Sequence, residues 1–289
     1  MTSIPAHLDP RFEGKHIIIT GAGGNFGREG CIYFADRRAK ITALDLNMTT
    51  LTETESLVKD KVPGAQISCY ECNVTDPASV QSAIDQAVEK FGTPDACWNN
   101  AGYQGEIKPT LEYSITDFSN VMSINVIGMF TVLQTVAKKM AAANADEQSS
   151  DTASSHKYSI VNTASVAAMR GTPAMVAYSA SKAAILAMTV SSAKDLAPMG
   201  IRVNAISPAL IGPGFMWDRQ NELHAKSGSP YFATDPEVVA KSKVNSVPMK
   251  RLGSIEEVVK SVAYLLSDDS SYTTAFNLVV DGGMSGGLR

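Results

Sequence analysis

The sequence has few of the residues that form disulfide bonds in small secreted domains or bind metals. It contains four cysteines and four histidines in 289 residues. Four cysteines are too few for a disulfide scaffold in a chain of this length. The histidines are scattered without the spacing of metal ligands, so we predict no zinc site and no other metal site.

Two of the cysteines, Cys69 and Cys72, have the spacing of a redox or metal-binding pair. No second pair and no nearby histidine accompany them, and the segment has the composition of a strand. Buried free thiols behave as small apolar side chains. We therefore expect these two cysteines to pack in the interior without a chemical role.

An excess of one charge and a long apolar run are also missing. The chain has 25 basic and 29 acidic residues, a net charge of −4, and no long basic block. This balance disfavours nucleic acid as a partner. No run of about 18 apolar residues is present, so we expect no membrane span. Residues 1–13 resemble neither a secretory signal nor an Arg-rich transit peptide, and a cytoplasmic location is the expectation.

Short β-branched runs alternate with longer helical stretches along the chain. Apolar residues make up 44% of it, enough for one substantial core at this length. Strands without polar alternation, such as His16–Thr20, are typical of a sheet covered on both faces. We predict one α/β domain over residues 1–289, a doubly wound, Rossmann-like parallel sheet with helices on both faces. The predicted strands are His16–Thr20, Lys40–Leu44, Gln66–Tyr70, Ala96–Trp98, Ser159–Asn162, Ile201–Ile206 and Phe276–Val280; the predicted helices are Gly27–Arg38, Thr50–Lys61, Pro77–Phe91, Asp117–Ala143, Tyr178–Ala197 and Ile255–Leu266.

Three segments fall outside this alternation. Residues 1–13 are expected to form an N-terminal extension. The polar, Ser-rich residues 143–157 predict a surface insertion between a helix and a strand. Residues 212–247, with aromatic and methionine residues among prolines and glycines, are a candidate substrate lid.

A glycine-rich turn follows the first strand and leads into a helix. Its sequence is TGAGGNFG at 20–27. Glycines let the backbone turn sharply and approach phosphate oxygens, and the helix N-terminus adds unpaired N–H groups. The alternative is an ordinary tight turn, but its place after the first strand of an α/β series favours a dinucleotide phosphate site. The predicted contacts here are Gly21, Gly24, Asn25, Phe26 and Gly27.

Asp45 ends the second predicted strand, 24 residues after Gly21. A carboxylate there can accept hydrogen bonds from both adenosine ribose hydroxyls and would repel a 2′-phosphate. Leu46 follows, and no basic residue replaces it. We therefore predict NAD rather than NADP as cofactor, with a carboxylate that only caps the next turn as the alternative.

Tyr178 and Lys182 are four residues apart at the start of a predicted helix, on one helical face. Alone, this spacing is weak evidence for a site. Ser165 lies 13 residues earlier, just past a predicted strand, and Asn125 lies in the preceding long helix. A surface tyrosine, a capping serine and a solvated lysine are each plausible singly, but the set together favours acid–base chemistry.

With these motifs in order, the sequence resembles the short-chain dehydrogenase/reductase family from about Lys15 to Gly283. The matching motifs are TGAGGNFG at 20–27, NNAG at 99–102, Asn125 in NVIG, Ser165, the Tyr178/Lys182 pair and the proline motif that begins SP at 207–208. Asn25 stands where the family has its middle glycine, and asparagine tolerates left-handed backbone angles better than other residues do.

The resemblance implies a role for each matching residue. Tyr178 would be the general acid/base, Lys182 would lower its pKa and hold the nicotinamide ribose, and Ser165 would bind the substrate oxygen. Asn125 would hold a proton-relaying water. The remaining implied cofactor contacts are Leu46, Asn73, Val74, Asn100, Ala101, Gly102 and the main chain of Ile211.

Elementary electrostatics predicts the same division of labour. A free tyrosine has a pKa near 10, too high for a base at neutral pH. An ammonium about 4 Å away, at an effective dielectric near 20, stabilises the phenolate by about 4 kcal/mol. That corresponds to about 3 pKa units and brings the expected pKa of Tyr178 near 7.

The substrate is expected to be a secondary alcohol or ketone. The segments NNAGYQG at 99–105, GPGFMWDRQ at 212–220 and the run at 229–249 resemble those of bacterial xylitol dehydrogenases of the family, which implies a polyol. Gln104 and Asn162 could hydrogen-bond its hydroxyls. Tyr103, Met216 and Trp217 could form pocket walls, or could simply pack the lid onto the core.

Two other functions stay open on the sequence. One is an NADPH-dependent carbonyl or 3-oxoacyl reductase, which Asp45 opposes. The other is a non-enzymatic dinucleotide-binding sensor, which the complete catalytic set opposes.

The resemblance also implies a homodimer or homotetramer built on the helices from Asp117 and from Tyr178. Small residues on the latter, Ala180, Ala183, Ala184 and Ala187, would let another helix approach closely.

Overall fold

A parallel sheet of seven strands forms the centre of the protein. The computed structural model describes residues 10–147 and 157–286. The strand order is β3-β2-β1-β4-β5-β6-β7, and every pairing is parallel. This confirms the doubly wound, Rossmann-like sheet. The strands are β1 His16–Thr20, β2 Lys40–Asp45, β3 Gln66–Glu71, β4 Ala96–Asn99, β5 Tyr158–Thr163, β6 Ile201–Pro208 and β7 Asn277–Val280.

Helices cover both faces of the sheet. Several begin at side chains that cap the first turn, as at Asn47, Asp76 and Ser254, which with Glu257 forms a capping box. The helices are α1 Asn25–Ala35, α2 Met48–Lys61, α3 Pro77–Phe91, α4 Ile115–Met122, α5 Met129–Glu147, α6 Ala167–Arg170, α7 Val176–Leu196, α8 Phe215–Ala225, α9 Pro236–Ser246 and α10 Ile255–Leu266.

Strand β1 shows why a run of isoleucines predicts a central strand. Ile17 and Ile19 pack into the apolar cluster that includes Trp98, whereas Ile18 packs into the cluster on the opposite face. Successive side chains of a strand point to opposite faces, so a strand covered on both sides has no polar position. The core is therefore two layers, one on each side of the sheet.

The sheet order places the functional edge. Strand β1 lies between β2 and β4, so the chain leaves β1 toward one side of the sheet and later returns on the other. In open parallel sheets, ligands bind outside the carboxyl ends of the strands where the order reverses. The glycine turn after β1 and the NNAG segment after β4 therefore meet at this edge.

The predicted helix Asp117–Ala143 is three segments in the structure. Helix α4 is followed by a π-helical turn, Ser123–Gly128, and then by α5. Gly128 lies against Val74, whose Cγ2 would be 2.7 Å from a Cβ added to the glycine. Such single π-helical turns recur at functional sites, and this one contains Asn125. The chain is helical throughout the predicted stretch, but the sequence did not predict the π-helical turn inside it.

In the structure, the three segments that fall outside the strand–helix alternation contain more helix and more buried residues than the sequence predicts. Phe12 is buried against Phe34, so the predicted extension 1–13 joins the core at its end; residues 1–9 lie outside the described residues. Helix α5 continues to Glu147 and buries Asn144, which shortens the predicted insertion 143–157; residues 148–156 lie outside the described residues. The candidate lid 212–247 consists mainly of α8 and α9.

The cysteines of the CxxC spacing lie in and just after β3. Burial raises the pKa of Cys69 to about 12 and that of Cys72 to about 11. Both thiols are therefore protonated at neutral pH and poor nucleophiles. Within residues 10–147 and 157–286, no three histidine, cysteine, aspartate or glutamate side chains are grouped as metal ligands.

One described stretch, Ile115–Ala145, is long and apolar enough to cross a membrane by length and composition alone. Half of its most apolar window is buried inside the fold. The core helix of a folded domain has the same properties, because it must be apolar where it covers a sheet.

Candidate active site

The turn after β1 brings main-chain N–H groups to the functional edge. Gly21 has a left-handed backbone with φ 66°, and a Cβ there would lie 3.0 Å from the Cα of Ala101. A Cβ on Gly27 would collide with the carbonyl oxygen of Gly21. Gly24 precedes α1, and no side chain caps this helix. The first N–H groups of α1 therefore remain able to bind an anion.

Asn25 is the first residue of α1. The left-handed conformation of the turn falls on Gly21 and not on Asn25. The tolerance of asparagine for such angles, invoked from the sequence, is therefore not needed here. The side chains of Asn25 and Phe26 line a cavity at the functional edge.

Asp45 closes the same cavity at the end of β2. Its Oδ2 accepts a hydrogen bond from Gly23 N at 2.9 Å, and its Oδ1 accepts one from Asn47 N at 3.0 Å. Asn47, not Asp45, caps α2. A carboxylate that is already oriented, with lone pairs left over, can accept further hydrogen bonds from a ligand hydroxyl.

Leu46, Asn73 and Val74, which the resemblance implies as cofactor contacts, do not line this cavity. Leu46 is exposed beside Asp45, Asn73 Oδ1 accepts hydrogen bonds from Thr75, and Val74 packs under Gly128. Their contact with the cofactor stays a prediction.

Tyr178 and Lys182 lie at the other end of the cavity, with Ser165 facing them from the loop after β5. The Nζ of Lys182 donates a hydrogen bond to Thr163 O at 2.7 Å and lies 5.6 Å from the centroid of the Tyr178 ring. The Oγ of Ser165 donates a hydrogen bond to Pro208 O at 3.4 Å and accepts one from Ala167 N at 3.2 Å, and its hydroxyl lowers the pKa of the neighbouring Tyr178. The i, i+4 spacing on α7 and the end of β5 thus bring a phenol, an ammonium and a hydroxyl together.

The sequence predicts a pKa of Tyr178 near 7, and this prediction is wrong for the protein without a bound ligand. Burial raises the pKa of Tyr178, and the neighbouring Ser165 hydroxyl lowers it by less. Burial also lowers the pKa of Lys182 to about 8, because the whole residue is only 3% exposed. The prediction counted the attraction between the two groups and neglected their shared loss of water, which a sequence does not reveal.

Replacing Lys182 by methionine is expected to stabilise the fold at neutral pH. With a pKa of about 8, Lys182 is an ammonium held out of water below that pH. The shift corresponds to about 3 kcal/mol of folding free energy. The variant also loses the hydrogen bond from Lys182 to Thr163 O, which reduces this gain in stability by about 1 kcal/mol. We expect urea unfolding of Lys182→Met to show a gain of about 2 kcal/mol.

The gain should fall as pH rises. Between about 8 and the usual 10.5, the unfolded chain keeps a proton on Lys182 that the folded chain has lost, so wild-type stability increases through that window. Lys243 also has a pKa of about 8, but it is present in both proteins and cancels. The exposed Lys194→Met serves as control and should show no gain. A gain that does not change with pH would contradict this explanation.

Asn125 holds the loop that follows NNAG. Its Oδ1 accepts a hydrogen bond from Tyr103 N at 2.7 Å, and its Nδ2 donates to Tyr103 O at 2.8 Å and to Ser181 Oγ at 3.0 Å. The side chain is fully buried. In this structure Asn125 therefore fixes the main chain of Tyr103, and its predicted role in holding a water stays a prediction.

Asp117 holds the same loop from α4 and is not evident from the sequence. Its Oδ2 accepts hydrogen bonds from Glu106 N at 2.8 Å and Tyr113 OH at 2.7 Å, and its Oδ1 accepts one from Tyr103 OH at 3.3 Å. The available signal is an acidic residue three positions after the capping Ser114. That signal predicts a helix start and not a loop anchor.

The cavity has a volume of about 430 Å³, within the usual range for small-molecule sites. It brings together residues from the glycine turn, β2, the NNAG loop, β5, α7 and the lid. Of the predicted residues, those that line it are Gly21, Gly24, Asn25, Phe26, Asp45, Asn100, Ala101, Gly102, Tyr103, Gln104, Ser165, Tyr178, Lys182, Ile211, Met216 and Trp217.

Asn162 does not reach this cavity, and its prediction as a substrate contact is corrected. Its side chain is fully buried within the fold. Its Nδ2 donates to Thr189 Oγ1 at 3.0 Å, and its Oδ1 accepts from Asn99 Nδ2 at 3.3 Å. In β5 the side chains alternate between faces, so Asn162 points toward a helix and not along the strand to its carboxyl end.

The candidate lid contains a polar cluster around the buried Asn221 and His224 that the sequence did not reveal. Lys243 Nζ of α9 donates to Asn221 Oδ1 at 2.7 Å and lies 3.1 Å from His224 Nδ1, both on α8. It also lies 5.3 Å from the ring of Trp217. The spacing of Trp217, Asn221 and His224 along one helical face is the available signal. This cluster joins the two lid helices into one unit.

Comparison with known proteins places the chain among related enzymes. The family described as enoyl-(acyl carrier protein) reductase matches residues 21–285. Levodione reductase of Leifsonia aquatica is 34% identical over 275 residues, which is 95% of this chain and 96% of that protein. The 3-oxoacyl-[acyl-carrier-protein] reductase of Thermotoga maritima is 32% identical over 276 residues, 95% of this chain and 99% of that protein.

Among solved structures, an NAD⁺-bound xylitol dehydrogenase is 46% identical, with a TM-score of 0.88. The match covers 94% of this chain and 100% of that one.

Proposed function

The chain belongs to the short-chain dehydrogenase/reductase family, and from this premise we propose that it transfers hydride between NAD(H) and a secondary alcohol or its ketone. One observation carries the proposal. Ser165, Tyr178 and Lys182 line one end of a cavity whose other end holds the glycine turn and Asp45. A dinucleotide along the functional edge would place its reactive ring beside the phenol.

The residues at the functional edge have the chemistry that binding of NAD requires. Glycines whose Cβ atoms would clash surround the uncapped N-terminus of α1, which suits a pyrophosphate. Asp45 suits the ribose hydroxyls and disfavours a 2′-phosphate. Lys182 would hold the nicotinamide ribose, and the main chain at Ile211 would meet the carboxamide. Asn100, Ala101 and Gly102 would border the adenosine side.

The proposed mechanism concerns one proton and one hydride. Ser165 Oγ and Tyr178 Oη hold the substrate hydroxyl, and the ionised Tyr178 Oη takes its proton. Bound NAD⁺ supplies the acceptor for the hydride that leaves the carbinol carbon. The Ser165 hydroxyl lowers the pKa of Tyr178 against the effect of burial. The Lys182 ammonium, 5.6 Å from the centroid of the ring, would stabilise the ionised phenol in the same direction. In the reverse direction, Tyr178 returns the proton to the ketone oxygen.

We propose a polyol as the substrate. The 46% identity to a xylitol dehydrogenase and the position of Gln104 in the cavity support this. The T. maritima relative keeps an NADPH-dependent carbonyl or 3-oxoacyl reductase as the alternative, but Asp45 disfavours that cofactor. The assembled Ser165, Tyr178 and Lys182 disfavour a non-enzymatic sensor.

A substrate panel tests the proposal. Xylitol, sorbitol and 2-butanol are incubated with NAD⁺ or NADP⁺, and ketones with NADH or NADPH, and the absorbance of the reduced cofactor is followed. We expect oxidation of an alditol with NAD⁺ and little reaction with NADP⁺. Reaction only with bulky apolar ketones would contradict the polyol, and a preference for NADPH would contradict the cofactor.

A homodimer or homotetramer and a cytoplasmic location also stay predictions. Ala180, Ala183 and Ala187 are exposed on α7, and Ile127 and Phe130 are exposed near the start of α5. Small and apolar exposed residues on neighbouring helices support association through this face.

A further inference from the structure

A carboxamide pair bridges the cavity between the core and the lid. Gln220 Nε2, on α8, donates a hydrogen bond to Gln104 Oε1, on the loop after β4, at 3.1 Å. Both side chains line the cavity that holds Ser165 and Tyr178. Gln220 is 116 residues from Gln104 in the sequence, so only the folded chain shows that they act together.

The pair leaves a donor and an acceptor free for a ligand. Among the described residues, no protein group bonds the Nε2 of Gln104 or the Oε1 of Gln220. Turning both carboxamides over reverses which residue donates, but the pair still offers one unused NH2 group and one unused carbonyl oxygen. A hydroxyl group both donates and accepts hydrogen bonds, so it matches this surface. A simple hydrocarbon chain does not.

Gln104 is held on a rigid base. Asn125 bonds both the N–H and the carbonyl of the preceding Tyr103, and Asp117 accepts from the N–H of Glu106. Gly105 between them has φ 76°, and a Cβ there would lie 2.5 Å from Val121 Cγ2. The main chain on both sides of Gln104 is therefore fixed, which limits where its carboxamide can point.

Gln220 is held by the lid. Its neighbours on α8, Trp217 and Asn221, are buried, and Lys243 ties Asn221 and His224 to α9. Gln220 is therefore held by the packing between α8 and α9. The bond to Gln104 is the described side-chain hydrogen bond that joins this unit to the NNAG loop across the cavity.

We propose that Gln220 is a specificity-determining residue that acts with Gln104 as one recognition unit for a hydroxyl group next to the reacting carbon. This inference rests on the proposed alcohol dehydrogenase function. A polyol satisfies the free donor and acceptor when the lid excludes water. A monoalcohol leaves them unpaired, and unpaired polar groups in a closed site disfavour the wrong substrate.

The test compares two substrates in four proteins. Wild type, Gln104→Met, Gln220→Met and the double variant are assayed with NAD⁺ against xylitol and against 2-butanol. Methionine keeps the length of glutamine and removes its hydrogen bonds. We expect each single variant to lower the ratio of kcat/KM for xylitol to that for 2-butanol by about 10- to 100-fold. The double variant should fall little further, because the pair acts as a unit.

Gln86→Met, on an exposed face of α3, is the matched control and should leave the ratio unchanged. NADH binding, measured by fluorescence, should be retained in every variant. An unchanged ratio in Gln220→Met, or an equal fall for both substrates, would overturn the inference and leave the alcohol dehydrogenase function intact. If the wild type oxidises no alcohol with NAD⁺, the proposed function itself fails, and this inference with it.

Discussion

Tyr178→Phe is expected to lower kcat by about 10³- to 10⁴-fold, within the range found for loss of a general acid–base group. The substitution removes one oxygen atom and keeps the ring that packs beside Lys182. No other described side chain in the cavity combines a titratable oxygen with an adjacent ammonium and a serine hydroxyl. Alcohol oxidation by steady-state and single-turnover assays measures the loss.

The binding of NADH should survive the same substitution, since the glycine turn and Asp45 lie at the other end of the cavity. Fluorescence titration of NADH checks this and shows that the variant is folded. Tyr70→Phe, on β3 and away from the cavity, is the matched control and should keep full activity. A Tyr178→Phe protein with unimpaired turnover would exclude the proposed mechanism.

Asp45→Asn is expected to lower the preference for NAD⁺ over NADP⁺ by about 10²- to 10³-fold. Two interactions contribute to this change in cofactor preference. Charge-assisted hydrogen bonds to the ribose hydroxyls are lost, worth about 1.5–3 kcal/mol. Repulsion between the carboxylate and a 2′-phosphate is also removed, worth about 1 kcal/mol in a wet site. The ratio of kcat/KM for the two cofactors measures the sum.

The asparagine keeps one oxygen, which can accept from Gly23 N and hold the glycine turn, but the hydrogen bond from the exposed Asn47 N is lost. Asp60→Asn, exposed on α2, removes the same charge from the surface without touching the cavity and should leave the ratio unchanged. If Asp45→Asn raised the KM for NAD⁺ and for NADP⁺ equally, the carboxylate would be shaping the turn and not selecting the cofactor.

Much of the candidate site follows from local patterns. The position of Gly21 and Gly27 after a buried strand specifies a tight strand–helix turn, because only glycine avoids the contacts that the turn creates. The i, i+4 spacing of Tyr178 and Lys182 puts both on one side of α7 because a helix repeats every 3.6 residues. These relations are short-range in sequence, and the sequence alone is sufficient for them.

The polar residues of the interior are different. Asn162 and Gln104 are both polar and both lie near strand ends in the sequence, and from the sequence either could contact a substrate. The structure buries Asn162 against Thr189 and turns Gln104 into the cavity opposite Gln220. The choice depends on which neighbours the sheet and the lid bring close, and those are 27 and 116 residues away.

The sequence by itself determined the order of the seven strands along the chain and of the helices between most of them, the glycine turn, the acidic residue at the end of β2 and the family of the chain. Tertiary structure alone decided the π-helical turn at Asn125, the lid contact of Gln220 and the protonation tendencies of Tyr178 and Lys182. The physical reason is the sequence distance between the residues that decide each property. Backbone conformation responds to adjacent residues, whereas desolvation and hydrogen-bond pairing depend on every segment that packs around a group.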